Sequence, residues 1–149
     1  MSKIIPLDSV LTLMLSGAFG FNAKSIKTNV SFSFYITYNN NDDNPEWNVF
    51  TLGFRESIGK IIIENKNFVF YYRQLTVEEE KVWKIKQLGF TAIFNIVKKQ
   101  LENKVEIRSN GKCARCGRTL TNLESIDMNI GPECEKKNKQ FIQSLANKL

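Results

Sequence analysis

The sequence predicts an α+β fold: a small antiparallel sheet covered by helices on one face, with a treble-clef-like zinc clip at the C-terminus. Three observations carry this. In residues 31–38, Phe32, Phe34, Ile36 and Tyr38 alternate with Ser31, Ser33, Tyr35 and Thr37, the period of a half-buried antiparallel strand. Thr76 and Glu79 stand three apart ahead of a helical apolar pattern, which reads as a capping box. All three cysteines, Cys113, Cys116 and Cys134, lie in one stretch with C-x2-C-x17-C spacing.

The 149 residues, 42% of them hydrophobic and eleven of them Phe, suit one compact core, with or without a small appendage. Two parts are expected: an α+β domain over 1–104, and the clip with a C-terminal helix over 105–149. The apolar run 10–21 is too short to span a bilayer and has only Lys3 as a basic flank, with Asp8 just before it, unlike a signal peptide. It reads as a buried helix capped by Asp8 or Ser9 and ended by Gly17. Residues 19–28 read as a loop with scattered lysines.

After the strand at 31–38, the cluster Asn39, Asn40, Asn41, Asp42, Asp43, Asn44 and Pro45 marks an exposed acidic turn. A second strand is expected over 47–54, with a bulge at Gly53. A hairpin follows, with arms 60–64 and 68–73 and a turn at 65–67. Tyr71 and Arg73 fall opposite the Phe68, Phe70 and Tyr72 face. From the capping box a helix runs toward Gln87, with Gly89 as a break. A second helix over 90–102 carries Ile93, Phe94, Val97 and Leu101 at helical spacing. Residues 105–108 form a short strand. Beyond Cys134 a polar helix reaches Ala146, with Phe141, Ile142 and Leu145 packing back. The sheet is expected to hold three or four strands.

The clip is argued from its own chemistry. A Cys-x-x-Cys turn presents two sulfurs to one side of a tight loop, as a tetrahedral metal with Zn–S bonds of about 2.3 Å requires. Gly117 allows the backbone to turn with φ > 0. Pro132 suits the first turn of a helix, and a cysteine there sits near the positive end of the helix dipole. The chain has no histidine, so only three ligands of the usual four are evident. Position 137, one turn beyond Cys134, is a lysine. Asp127, Glu124, Glu133, Glu135, a water or a partner's side chain would complete the shell, with Asp127 the carboxylate favoured here. A redox Cys-x-x-Cys and three merely free thiols are the competing readings. The redox one needs a βαβ setting that the pattern lacks. An odd number of cysteines at this spacing argues for reducing cytoplasm over a secreted disulfide framework.

The stretch C-x-x-C-G-R-x-L-T, then E-S-I, then I-G-P-E-C resembles the tail of a family of small proteins encoded mainly by bacteriophages and prophages, whose function is unknown. The match falls on Cys113, Cys116, Gly117, Arg118, Leu120, Thr121, Ser125, Ile126, Ile130, Gly131, Pro132 and Cys134. It departs at Leu123, where the family has proline, and at Asn129, where it has glycine. Asn tolerates a left-handed backbone better than most residues. The resemblance implies a viral or mobile-element origin, hence a host-cell cytoplasmic site of action, and a zinc clip. It implies no activity.

Function is read from charge and from what is missing. The chain carries +6, and residues 98–149 hold eleven Lys/Arg against six Asp/Glu, which points to an anionic partner at that end. Lys98, Lys99, Lys104, Arg108, Lys112, Arg115 and Arg118 precede or occupy the knuckle, and Tyr35, Tyr71 and Arg73 offer stacking and charge on the sheet. The expectation is a non-enzymatic zinc protein that binds nucleic acid or a nucleoprotein through its basic C-terminal region. The alternative is a phage inhibitor of a host defence or takeover target, of anti-CRISPR type, acting by direct protein binding. A zinc enzyme ranks below both. Without histidine the usual general base is missing, and no phosphate-binding or nucleophile-elbow motif is present. Glu78, Glu79 and Glu80 are accounted for by the capping box. Three thiolates would leave a zinc-bound water a poor acid, and the deaminase element that would precede P-C-x-x-C is missing.

Overall fold

The computed structural model describes residues 4–41 and 44–147. In chain order the elements are α1 (Leu7–Met14), β1 (Ala18–Ser25), β2 (Ser31–Asn41), β3 (Asn44–Thr51), β4 (Gly59–Glu64), β5 (Asn67–Tyr72), α2 (Val77–Lys99), β6 (Val105–Ser109), α3 (Leu123–Met128) and α4 (Pro132–Ala146). The fold is α+β. Its sheet has six strands in the order β5-β4-β3-β2-β1-β6, and every neighbouring pair is antiparallel. Strands β1 to β5 form a meander. The chain then crosses the sheet as α2 and returns as β6 on the free side of β1. Among the described residues no helix is long and apolar enough to cross a membrane.

One face of the sheet is apolar and the helices cover it. Phe19 and Phe21 on β1, Phe34 and Ile36 on β2, Trp47 and Val49 on β3 and Ile61 on β4 are buried with Phe90, Phe94 and Val97 of α2. Phe90 meets Phe34 edge-on at 5.2 Å and Phe70 at 4.6 Å, and Tyr38 meets Phe141 of α4 at 4.9 Å. The other face carries the alternate residues, among them Asn22, Ser33, Tyr35, Asn48, Lys60 and Tyr71.

Several elements differ from expectation. Residues 19–28 are mostly strand, not loop: β1 pairs Phe21 with Phe34 and Ala23 with Phe32, and its inward residues Phe19, Phe21 and Ala23 are buried. Together with β6, this strand raises the count to six. Helix α1 ends at Met14, its N-cap is Pro6, and neither Asp8 nor Ser9 caps it. Strands β2 and β3 reach to Asn41 and Asn44, so the expected long turn is shorter; Asp42 and Asp43 lie outside the described residues. Gly53 stands at φ +88° beyond the end of β3 rather than as a bulge within it. The β4–β5 turn has Asn65 and Lys66 both at positive φ, the backbone of a two-residue hairpin. The expected boundary at 104/105 falls just before β6.

The largest departure is α2, a single helix of 23 residues that runs straight through Gly89. Its start is as expected: Thr76 accepts from Glu79 N at 3.2 Å, and the Glu79 carboxylate accepts from Thr76 N at 2.9 Å. A mid-helix glycine costs about 1 kcal/mol relative to alanine, which burying Phe90, Ile93, Phe94 and Val97 outweighs. Glycine serves there because a Cβ would come within 2.8 Å of the Phe32 ring. Gly89→Ala is therefore expected to destabilise by about 1 kcal/mol, since displacing a packed ring costs about 1–3 kcal/mol against the propensity gain. A urea midpoint above that of the parent protein would contradict it.

Candidate metal centre

The knuckle grows out of β6 as a small hairpin. Lys112 and Thr119 form a β-bridge, Cys113 N donates to Arg118 O at 2.8 Å, and Leu120 N donates to Gly111 O at 3.1 Å. The turn between them is closed by Gly117 N on Cys113 O at 2.9 Å, with Gly117 at φ +79°. This hairpin rests on the sheet: Ala18 N donates to Ala114 O at 2.7 Å, and a Cβ on Gly17 would lie 3.0 Å from Arg115 O. Helix α3 follows, capped by Asn122, whose Oδ1 accepts from Glu124 N at 2.8 Å. It ends at Asn129, φ 62°, a left-handed backbone that Asn tolerates better than most residues. Gly131 is then the N-cap of α4 and Pro132 its first residue. Cys134 therefore falls in the first turn of that helix.

These elements bring the three sulfurs within 4.8 Å of one another. Tetrahedral Zn–S bonds of about 2.3 Å would place sulfurs about 3.8 Å apart, so the cluster is compatible with a metal. All three cysteines are free; Cys113 is buried, Cys134 half-buried and Cys116 exposed. Gly131 N–H points at Cys113 Sγ from 3.4 Å. Burial raises the Cys113 thiol, but hydrogen bonds from the Gly131, Cys116 and Arg115 backbone and from the Cys116 side chain outweigh it and leave the thiol below its ordinary value. Cys134 moves the other way, to about 12, through burial first, then its hydrogen bonds to the other two sulfurs and their charge. Three sulfurs this close cannot all be anionic without a cation among them. The donor set fits a thiophilic ion.

The fourth ligand remains outside that group: no Asp or Glu oxygen among the described residues joins the three sulfurs. Asp127 lines a cleft between α1 and α4 instead. Glu133 lines the cavity of about 310 Å3 that the cysteines share with Arg118, Thr121 and Asn122, an environment that sequence spacing does not distinguish from that of Glu124 or Glu135.

A family model matches here. It describes a family of unknown function, DUF6011, and it covers residues 106–139. The matched segment runs from β6 through the knuckle and α3 to the middle of α4, so it contains all three sulfurs. Over this segment the chain is similar to that family. No curated protein and no solved structure matches the chain.

The basic and aromatic candidates divide into two sets. Arg108 sits on the uncovered face of β6 opposite Asn22, 3.9 Å from Glu106. Lys112 and Arg118 are exposed on the knuckle and Arg115 is half-buried. Tyr35, 38% exposed, joins them: a Cβ on Gly117 would lie 3.9 Å from its hydroxyl. Lys104 lies at the other end of β6, where its carbonyl accepts from Ile26 N. Lys98 belongs to the helix layer at the opposite edge of the sheet, donating to Phe68 O at 3.0 Å and lying over the Phe94 ring, and Lys99 is its neighbour in the last turn of α2. Tyr71 shares the uncovered face with Tyr35 but is three strands away, about 14 Å, and its hydroxyl donates to Glu64. Arg73 pairs with Glu56. Sequence reasoning missed a depression of about 430 Å3 between Tyr35, Phe50, Leu52, Asn22 and Asn110, because one wall comes from β1, whose strand character is set by pairing with β2 and β6 and not by local pattern.

Proposed function

We propose that this chain is a non-enzymatic, phage-type zinc protein that holds single-stranded nucleic acid where the knuckle meets the uncovered face of the sheet. Zinc would tie the Cys113/Cys116 turn to the start of α4 and so fix the direction of Arg115 and Arg118. The observation that carries the reading is the adjacency of Tyr35 to Gly117. It puts an exposed ring and an apolar depression beside the knuckle cations on one continuous surface. A base stacks on an aromatic ring whatever its identity, and lysines and arginines follow the phosphates.

With four phosphate contacts, from Arg108, Lys112, Arg115 and Arg118, affinity for a labelled oligothymidylate should fall about 50-fold between 50 and 200 mM salt, following a slope of about −0.7 per contact. Arg115→Glu with Arg118→Glu should weaken it at least tenfold. Tyr35→Ala should remove one stacking contact, about 1–3 kcal/mol. Fluorescence anisotropy measures all three, and binding that ignores both salt and charge reversal would end the proposal.

One observation favours the protein-directed reading. Helix α2 exposes Val82, Ile85 and Leu88 at 55%, 58% and 47%, an apolar arc suited to a protein partner. On that reading the chain seizes a host defence or takeover target directly. Capture from nuclease-treated host lysate, lost on Ile85→Glu, would support it; capture abolished by nuclease would not.

A further inference from the structure

Helix α2 has two unlike faces. One buries Gln87, Phe90, Ile93, Phe94 and Val97 against the sheet. The other leaves Val82, Ile85, Leu88 and Ala92 exposed, at spacings of three and four that run them as one stripe along the outside. Beside the middle of the stripe lies a hollow of about 330 Å3, walled by Gly89, Ala92 and Ile96 of α2 and by Val30 and Phe32 across from them. Gly89 keeps it open, since a Cβ there would come within 2.8 Å of the Phe32 ring. An exposed knob, Ile85, and an apolar hollow thus sit on one helix about a turn apart.

A second observation is the charge at the two ends of the stripe. The first turn of α2 carries Glu78, Glu79 and Glu80, and the last carries Lys98 and Lys99. Glu79 is held in the capping box and Lys98 by Phe68 O. Glu78 and Lys99 are exposed, and helical spacing sets both on the side of the stripe. Glu78 meets Lys81 at 3.3 Å, but a pair this exposed contributes little and leaves the carboxylate available. Lys99 makes no ion pair among the described residues. Turned end for end, this pattern matches itself. The pairs Glu78 and Lys99, Ile85 and Ala92, and Leu88 and Gly89 are all centred on the same point of the helix. A copy related by a two-fold axis at that point sets Glu78 against Lys99 of the second copy at both ends, with the helix dipoles opposed. It also sets Ile85 over the small Ala92 of the second copy, beside the hollow. Contacts across a two-fold axis must be self-complementary in this way.

We propose that this chain pairs with a second copy of itself through α2, antiparallel, with Ile85 of each copy entering the hollow beside Gly89 and Ala92 of the other. The apolar stripe supplies the attraction, and the end charges select the orientation. Both uncovered sheet faces lie on the side away from α2 and stay free, so the pairing does not rest on the nucleic-acid reading. It accounts for the exposed arc of α2 without a host target.

The test is sedimentation equilibrium of the full chain, nuclease-treated and in thiol reductant, from about 1 to 200 μM, the range of a weak homodimer. The mass should rise from 17.2 kDa toward twice that value. Ile85→Glu should weaken association at least tenfold without lowering Tm, since that side chain is 58% exposed. Glu78→Lys and Lys99→Glu should each weaken it several-fold at low salt, because each sets like charges opposite one another at both ends. Mixed in equal amounts, the two variants should associate more tightly than either alone, since every end then carries an opposite pair. Mixing does not repair a helix weakened within one chain, so this readout reports the interface and not the fold. A monomer at every concentration would overturn the proposal and leave the arc to a different partner. A dimer indifferent to Ile85→Glu would overturn it too, by placing the interface elsewhere. A mixture no tighter than its components would refute the antiparallel pairing.

Discussion

Cys113→Ser is expected to melt residues 111–131 while leaving the sheet and the end of α4 folded, and chelator should do the same to the parent protein. Among the described side chains of that segment the one large buried apolar residue is Ile130, beside Cys113 and Ala114. One such side chain contributes about 1.5–3 kcal/mol, far below the entropy of ordering some twenty residues at about 1–2 kcal/mol each. A structural zinc supplies on the order of 10 kcal/mol, enough with the hairpin and helix hydrogen bonds to hold the segment. Cys113 is the most telling position because its sulfur is buried and receives Gly131 N–H. The end of α4 has its own anchors: Leu145 in the core, Phe141 against Tyr38, and Asn138 on Ser16. Strand β6 is held by five residue pairs to β1. Hydrogen exchange reads this directly. The amides of Cys113, Ala114 and Leu120, bonded to Arg118, Asn129 and Gly111 carbonyls, should lose protection, and those of β1 to β5 should keep it. Should the three stay protected in a metal-free sample, the sulfurs would not be what anchors the clip.

What could be read from sequence follows from where the signal was local. The β2 alternation, the Thr76 capping box, the turn expected at 65–67 and the Pro132 helix start each depend on a few adjacent residues, and the structure places them accordingly, except that Asn67 already opens β5. The cysteine cluster was legible for the same reason, since a metal constrains spacing. β1 was not. Phe19, Phe21 and Ala23 do alternate, but Gly20 and the preceding apolar run favour helix and turn locally, and only pairing with β2 and β6 decides for strand. Gly89 failed in the opposite sense: a local breaker was overruled by burial on both sides and by the Phe32 ring against it. The same long-range pairing decides the surface. Tyr35 lies by the knuckle and Tyr71 far from it because β1, not β5, neighbours β6.

Trp47→Ala should be the most damaging change in the core, and its effect should reach the cysteine cluster. Trp47 is fully buried, packed 5.3 Å from the Tyr38 ring and edge-on to Phe68 at 5.8 Å. Truncating such a side chain costs about 3–5 kcal/mol. Its Nε1 also donates to Leu15 O at 3.0 Å, and orphaning that carbonyl adds about 1–3 kcal/mol. About 5 kcal/mol is a large share of the 5–15 kcal/mol that holds a domain together, and at roughly 3 °C per kcal/mol it lowers Tm by about 15 °C. Leu15 leads into Gly17, which accepts from Tyr38 N at 3.0 Å, and into Ala18, which holds Ala114 O. The knuckle is therefore seated on backbone that Trp47 fixes. Trp47→Phe separates the two contributions, because it keeps most of the ring and loses only the donor. It should cost about 1–3 kcal/mol and loosen the Ala18 and Ala114 amides more than the sheet's far strands. If Trp47→Phe left those amides as protected as in the parent while Trp47→Ala exposed them, cavity collapse alone would carry the effect, and the hydrogen bond to Leu15 would have no part in seating the clip.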